Sequence, residues 1–203
     1  MTKKCMFTFV LGLLSFSVVA QEKDSTKVEG FEFTTVKECP ITSIKNQNRS
    51  STCWSFSSVG FIESELLRKG KGTFDLSEMF VVHHTMIDRA ANYVRLHGES
   101  SFSPGGSFND AFYCLANYGI VPQEAMNGIQ YGDTLPVHNE LDVVAEAYVK
   151  AIAGSELKKL TPVWKQGLIG IYDTYLGVCP QQFFYKGKNY TPQTFAKELA
   201  IDV

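Results

Sequence analysis

The sequence predicts an α+β fold that is mostly helical, and three observations carry that expectation. Apolar residues recur at helical spacing in six runs, most of them closed by a glycine. Phe31–Val36 alternates at strand period, the one early stretch to do so. Phe183–Tyr190 has the pattern of a short aromatic hairpin.

Taken in order, residues 21–30 are polar and read as a lead-in, and Phe31–Val36 as a short strand. Cys39-Pro40 interrupts it, and Ile41–Asn46 runs extended into a loop at Gln47. Ser51 and Thr52 can cap a first helix carrying Trp54, Phe56, Phe61, Ile62 and Leu66, which Gly70 stops. Asp75 and Glu78 have the spacing of a capping box for a second helix, whose face runs through Met79, Val82, Met86, Ala90 and Val94. That helix closes at His97-Gly98. Phe108, Phe112, Leu115 and Tyr118 define a third helix, ended by Gly119. Leu141 to Ile152 gives a fourth and Pro162 opens a fifth. Thr191-Pro192 caps the last, which runs to Ala200.

With 203 residues, 44% of them hydrophobic and 20% charged, the chain can bury a sizeable core and is not of disordered composition. A net charge of −2 gives no basic footprint, so neither nucleic acid nor an anionic membrane is an expected partner. Lys3 and Lys4 precede an apolar run, Met6–Ala20, that ends in Val18-Val19-Ala20. This is the pattern of a cleaved secretory signal, residues 1–20, and implies export to a periplasmic or extracellular space. About 15 apolar residues fall short of the ~20 that span a bilayer, so no stable membrane insertion is expected after cleavage. Cys39, Cys53, Cys114 and Cys179 remain, too few for a disulfide scaffold, and pairing among Cys39, Cys114 and Cys179 stays open.

The chemistry concentrates in Gln47–Ser57. Cys53 falls in the first turn of the first helix, where unpaired N–H groups and the helix dipole favour an anion. A thiol in that setting gives up its proton more readily. Gln47, six positions upstream, can place a side-chain amide beside the Cys53 N–H, and the two donors together make an oxyanion hole. Trp54 reads as either core or cleft wall. Gly105-Gly106 lets a backbone come close to a ligand, as in strand-like peptide binding, although a glycine pair before a helix is most simply a turn. Glu63 and Glu65 read as a solvated face, and Cys114 as a small buried hydrophobe. No spacing suggests a metal site, and no cofactor is expected.

These residues resemble a known family. Q-x5-C-W-S-F-S, without a second cysteine three places before the first, is similar to the active-site helix of papain-like cysteine peptidases, in particular the bleomycin hydrolase and aminopeptidase C branch. D-L-S-E-M-F, then Gly105-Gly106 ahead of Ala111-Phe112, then Y-G-I-V-P, follow in the order the family has them. The motifs lie within residues 47–124, and from Met126 the resemblance shifts to the insertion region of secreted bacterial members of that branch. It implies a helical lobe over residues 31–125, a helical insertion over 126–203, and a thiol peptidase with Cys53 as nucleophile and Gln47 in the oxyanion hole. Gly105, Gly106 and Trp54 would meet peptide substrates. An aminopeptidase, homo-oligomeric by analogy, is the form implied.

That chemistry also needs a histidine base and a group to orient it. In the family's pattern they lie about 130–150 residues after the cysteine, and residues 183–203 hold no histidine. His83, His84 and His97 fall on the second helix, and nothing in the sequence brings His138 to Cys53. The expectation is therefore the N-terminal half of a peptidase, without its β-barrel lobe and inactive alone. An inactive remnant or a peptide-binding module is the alternative.

Overall fold

A computed structural model describes residues 30–201. The expected signal sequence, and the lead-in up to residue 29, lie outside the described residues. The chain divides at Lys37–Glu38 into two units. In the first, residues 30–37 are irregular and exposed, so the strand expected at Phe31–Val36 is not formed. Alternation alone supplies no ladder: a strand needs a partner for its N–H and C=O groups.

The second unit is helical. Its elements are α1 (Cys53–Arg68), α2 (Glu78–Arg95), α3 (Phe108–Tyr118), a single 3₁₀ turn (Gln123–Ala125), α4 (Asn139–Ala153), α5 (Val163–Leu176), β1 (Phe183–Tyr185), β2 (Lys188–Tyr190) and α6 (Pro192–Leu199). α2 is central and packs against α1, α3, α4 and α5, while α3 also meets α1 and α6. Its position follows from composition, because buried residues run nearly all round its first turns (Met79, Phe80, Val81, Val82). The antiparallel β1–β2 hairpin, paired Phe183 with Tyr190, is the one sheet among the described residues. Fold class is as the sequence implies: the helical lobe of a papain-like fold, with no β-barrel among the described residues.

Three helix starts differ from the sequence reading. Ser77, not Asp75, caps α2, accepting from Phe80 N–H. Asp75 is drawn away by Lys45, 2.7 Å distant. Pro162 is the cap of α5 rather than its first residue. The hydroxyl of Thr52 engages Ser50 at 2.5 Å, so α1 has no side-chain cap. At the end of α3, Gly119 has φ +83°, and an added Cβ would lie 2.3 Å from the Pro192 backbone. This close approach seats α6, and Ile120 N–H donates to Pro192 O across it (3.2 Å).

Candidate active site

Cys53 is the first residue of α1 and is exposed. Since Thr52 turns its hydroxyl to Ser50, the first-turn N–H groups of α1 keep no side-chain acceptor. Gln47 and Cys53 line the same groove of about 620 Å³, which α1 forms with the Ile41–Lys45 segment. Gln47 is half-buried, and its Oε1 has no hydrogen-bond partner among the described residues.

The loop between them is tightly wound. Asn48 and Ser51 both take left-handed backbone conformations, with φ of 47° and 57°. Asparagine tolerates that region, whereas serine is strained there. The surroundings hold it: Asn48 N–H donates to Asn46 Oδ1 (2.8 Å), and Ser50 N–H to Gln47 O (3.2 Å). A short parallel bridge ties Arg49 to Val137, with Arg49 N–H on Pro136 O and His138 N–H on Arg49 O (3.2 and 3.0 Å). Thus His138, which no local pattern brings near, lies against this loop, its N–H bonded to Arg49 four residues before Cys53. It is 1% exposed and its Nε2 is unpartnered. Burial drives its pKa down to about 4, only partly offset by a hydrogen bond to the Ser50 backbone. It is a neutral packing group, and no histidine lines the groove.

Among the residues lining the groove is a charge cluster that the sequence reading missed. Lys45 Nζ reaches Glu63 (3.0 Å), Glu78 (2.8 Å) and Asp75 (2.7 Å), and donates to Leu76 O (3.1 Å). Glu63 is not on a solvated face: it is 1% exposed and also accepts from Thr42 Oγ1 and Leu76 N–H. Burial pulls the Lys45 ammonium down, but the carboxylates around it outweigh this and hold it above the usual lysine range. For Glu78 the balance is reversed. Burial lifts its carboxyl, and the attraction of Lys45 only partly restores it. Only the burial of Glu63 was readable, not its partner: Val59, Ile62, Glu63 and Leu66 share the i, i+3, i+4, i+7 stripe of α1. The cluster anchors the segment that delivers Gln47, two residues after Lys45. Glu65, by contrast, makes an exposed pair with Arg68.

Gly105 and Gly106 lie on the exposed loop between α2 and α3. Arg89 donates to Ser103 O (3.2 Å) and to Gly105 O, and pairs with Asp110 (2.9 Å). Trp54 Nε1–H donates to Pro104 O (2.9 Å). A Cβ on Gly106 would fall 2.4 Å from the Trp54 ring, whereas one on Gly105 would meet nothing. Trp54 is itself 5% exposed, so its direct contact is with the glycine loop above it. The residue after the candidate nucleophile therefore fixes the height of that loop over α1.

Residues 28–153 match the family described as papain family cysteine protease. The chain belongs to that family. It is similar to a cysteine proteinase of Trypanosoma brucei brucei (30% identity, covering 56% of this chain and 26% of the relative). Testin-2 of Rattus norvegicus is 30% identical over 75% of this chain and 43% of its own. A cathepsin L-like protein of Caenorhabditis elegans is 29% identical over 78% and 44%. The chain thus spans between about a quarter and under half of the length of these relatives. The family match also runs past Met126 to the end of α4, which packs on α2 in the same core.

Proposed function

We propose that this chain supplies the nucleophile side of a cysteine-type peptidase, with Cys53 attacking the scissile carbonyl. Gln47 and the Cys53 N–H would hold the resulting oxyanion, and the backbone at Gly105-Gly106 would align the peptide. The observation that carries this reading is that an exposed thiol at an uncapped helix N-terminus shares one groove with the Gln47 side chain, whose amide N–H2 is the donor type an oxyanion needs. The N–H and carbonyl of Gly106 make no hydrogen bond among the described residues, which leaves them for a substrate backbone. Trp54 acts through the loop it supports.

In this reading the general base and its orienting residue come from outside these 203 residues, because no histidine lines the groove. The missing second cysteine at position 50 and the order of motifs favour the bleomycin hydrolase and aminopeptidase C branch, and so an aminopeptidase. Residues 1–20 would direct export, 31–125 form the nucleophile lobe, and 126–203 its insertion region. A second reading has a specific observation behind it: without a base in the groove, the chain alone would bind peptides and not cleave them.

An epoxide or vinyl sulfone thiol probe tests the assignment. A protein containing this chain together with the base-bearing segment should be labelled at Cys53, and Cys53→Ala should abolish both labelling and turnover. Turnover that survives Cys53→Ala removes the nucleophile. Turnover by the purified 203-residue chain removes the claim that the base lies elsewhere.

A further inference from the structure

Behind the Ser103-Pro104 segment lies a small cavity of about 80 Å³, whose walls include Asp142 and Glu146 of α4, Tyr172 of α5 and the apolar Phe102 and Pro104. Tyr172 is 1% exposed, and its hydroxyl has no hydrogen-bond partner among the described residues. Asp142 is half-buried, and no Lys, Arg or His nitrogen lies within ion-pair distance of its carboxylate among those residues. Glu146, one turn further on, is paired through Oε1 with Lys150 (2.7 Å), which leaves Oε2. A buried hydroxyl without a partner and a half-buried carboxylate without a cation facing one cavity leave two needs that one ligand can meet.

We propose that this cavity binds a primary ammonium group through Asp142, Glu146 and the Tyr172 hydroxyl. An ammonium carries three N–H donors, and these three side chains offer one acceptor each. A calcium ion asks for six to eight oxygens, more than two carboxylates and a phenol supply. A water would satisfy the hydroxyl but leave the Asp142 charge uncompensated. The volume holds the ammonium and a short methylene stem, against which Phe102 and Pro104 form the apolar wall. Pro104 is the residue whose carbonyl accepts from Trp54, so the cavity backs directly onto the glycine loop. The ligand class is therefore an amine-bearing peptide, presenting its α-amine or a lysine side chain. That last step rests on the peptidase reading, whereas ammonium binding does not.

Calorimetric titration of the chain carrying Cys53→Ser with n-propylammonium chloride, at constant ionic strength, tests it. Saturable one-to-one binding is expected, at least tenfold weaker for tetramethylammonium, which has no N–H. Asp142→Asn and Glu146→Gln should each weaken it tenfold or more, and Tyr172→Phe at least threefold. Glu146 is half-exposed, so its variant stays informative should Asp142→Asn unfold; circular dichroism checks each. No saturable binding, equal binding of tetramethylammonium, or unchanged binding by Glu146→Gln overturns the proposal, as does calcium binding with none for n-propylammonium. Gly-Gly-Leu-amide against N-acetyl-lysine-amide then identifies which amine fits. Failure of both peptides with n-propylammonium still bound removes only the link to the glycine loop.

Discussion

Trp54 and Gly106 meet so closely that a Cβ on the glycine would lie 2.4 Å from the indole ring. Gly105, the preceding residue, has open space around it. The two glycines read alike in the sequence, yet only one is required by packing. Gly106→Ala should therefore destabilise the chain by about 1–3 kcal/mol, the usual range for overpacking, and shift Trp54 fluorescence. Gly105→Ala should leave the denaturation midpoint almost unchanged. Equal effects of the two substitutions would mean that the loop is not seated on Trp54.

Lys45 faces three carboxylates, two of them buried. Replacing it with Met strands Glu63 and Glu78 without a cation, and breaking a buried pair in this way costs about 3–5 kcal/mol. The triple substitution Lys45→Met, Glu63→Gln, Glu78→Gln should recover part of that loss, since the uncompensated charges go with the lysine. Urea denaturation of the single and triple variants measures both. A single variant as stable as the parent would sink the claim that this cluster anchors the Gln47 segment.

That cluster also shows where the sequence stopped being legible. Helices α3 to α6 were readable because their ends carry local chemistry: Gly119, Gly154 and Gly177 at the stops and Pro192 at a start. Cys53 and Gln47 were readable for the same reason, being fixed by residues near them in sequence. Lys45 and Glu63 are 18 positions apart, and their pairing depends on how two segments pack. The misplaced cap of α2 has the same origin, since Lys45 takes Asp75 away from the helix start. His138 reaches Ser50 only through the bridge between Arg49 and Val137, which no local pattern announces.

Acid sensitivity should follow from two imidazoles that burial depresses most, the buried His138 and the half-buried His84. Burial lowers His84 and His138 to about 4 each, with His83 and Lys165 adding to the effect on His84. The unfolded chain takes up protons near 6.5, so between pH 6.5 and 4 it binds more protons than the folded one. Stability is then complete above pH 6.5 and falls as pH drops towards 4. Asp142 works in the opposite direction. Burial and Glu146 raise it to about 6, so the folded state gains a proton there first. Denaturation midpoints across this range should show a flatter slope for His138→Gln, by at most about 1.4 kcal/mol per pH unit. Asp142→Asn should make the slope steeper. A His138→Gln slope equal to the parent's would mean that this imidazole is not buried neutral.

The four cysteines outside the expected signal sequence fall into two classes, and their reactivity should divide accordingly. Cys39 and Cys53 are exposed, Cys114 and Cys179 buried. Burial lifts the Cys114 thiol well above the ordinary range and pushes Cys179 up to about 12. The nucleophile in alkylation is the thiolate, so the buried pair should be inert in the folded chain on two grounds, access and protonation. Iodoacetamide at pH 7.5 followed by peptide mass mapping should find Cys39 and Cys53 modified, and all four only after denaturation. Cys53 at a helix N-terminus should react faster than Cys39, which lies in an irregular segment. The rate order separates an activated thiol from one that is merely exposed: equal rates would remove the helix terminus as the source of activation and leave Cys53 dependent on a general base.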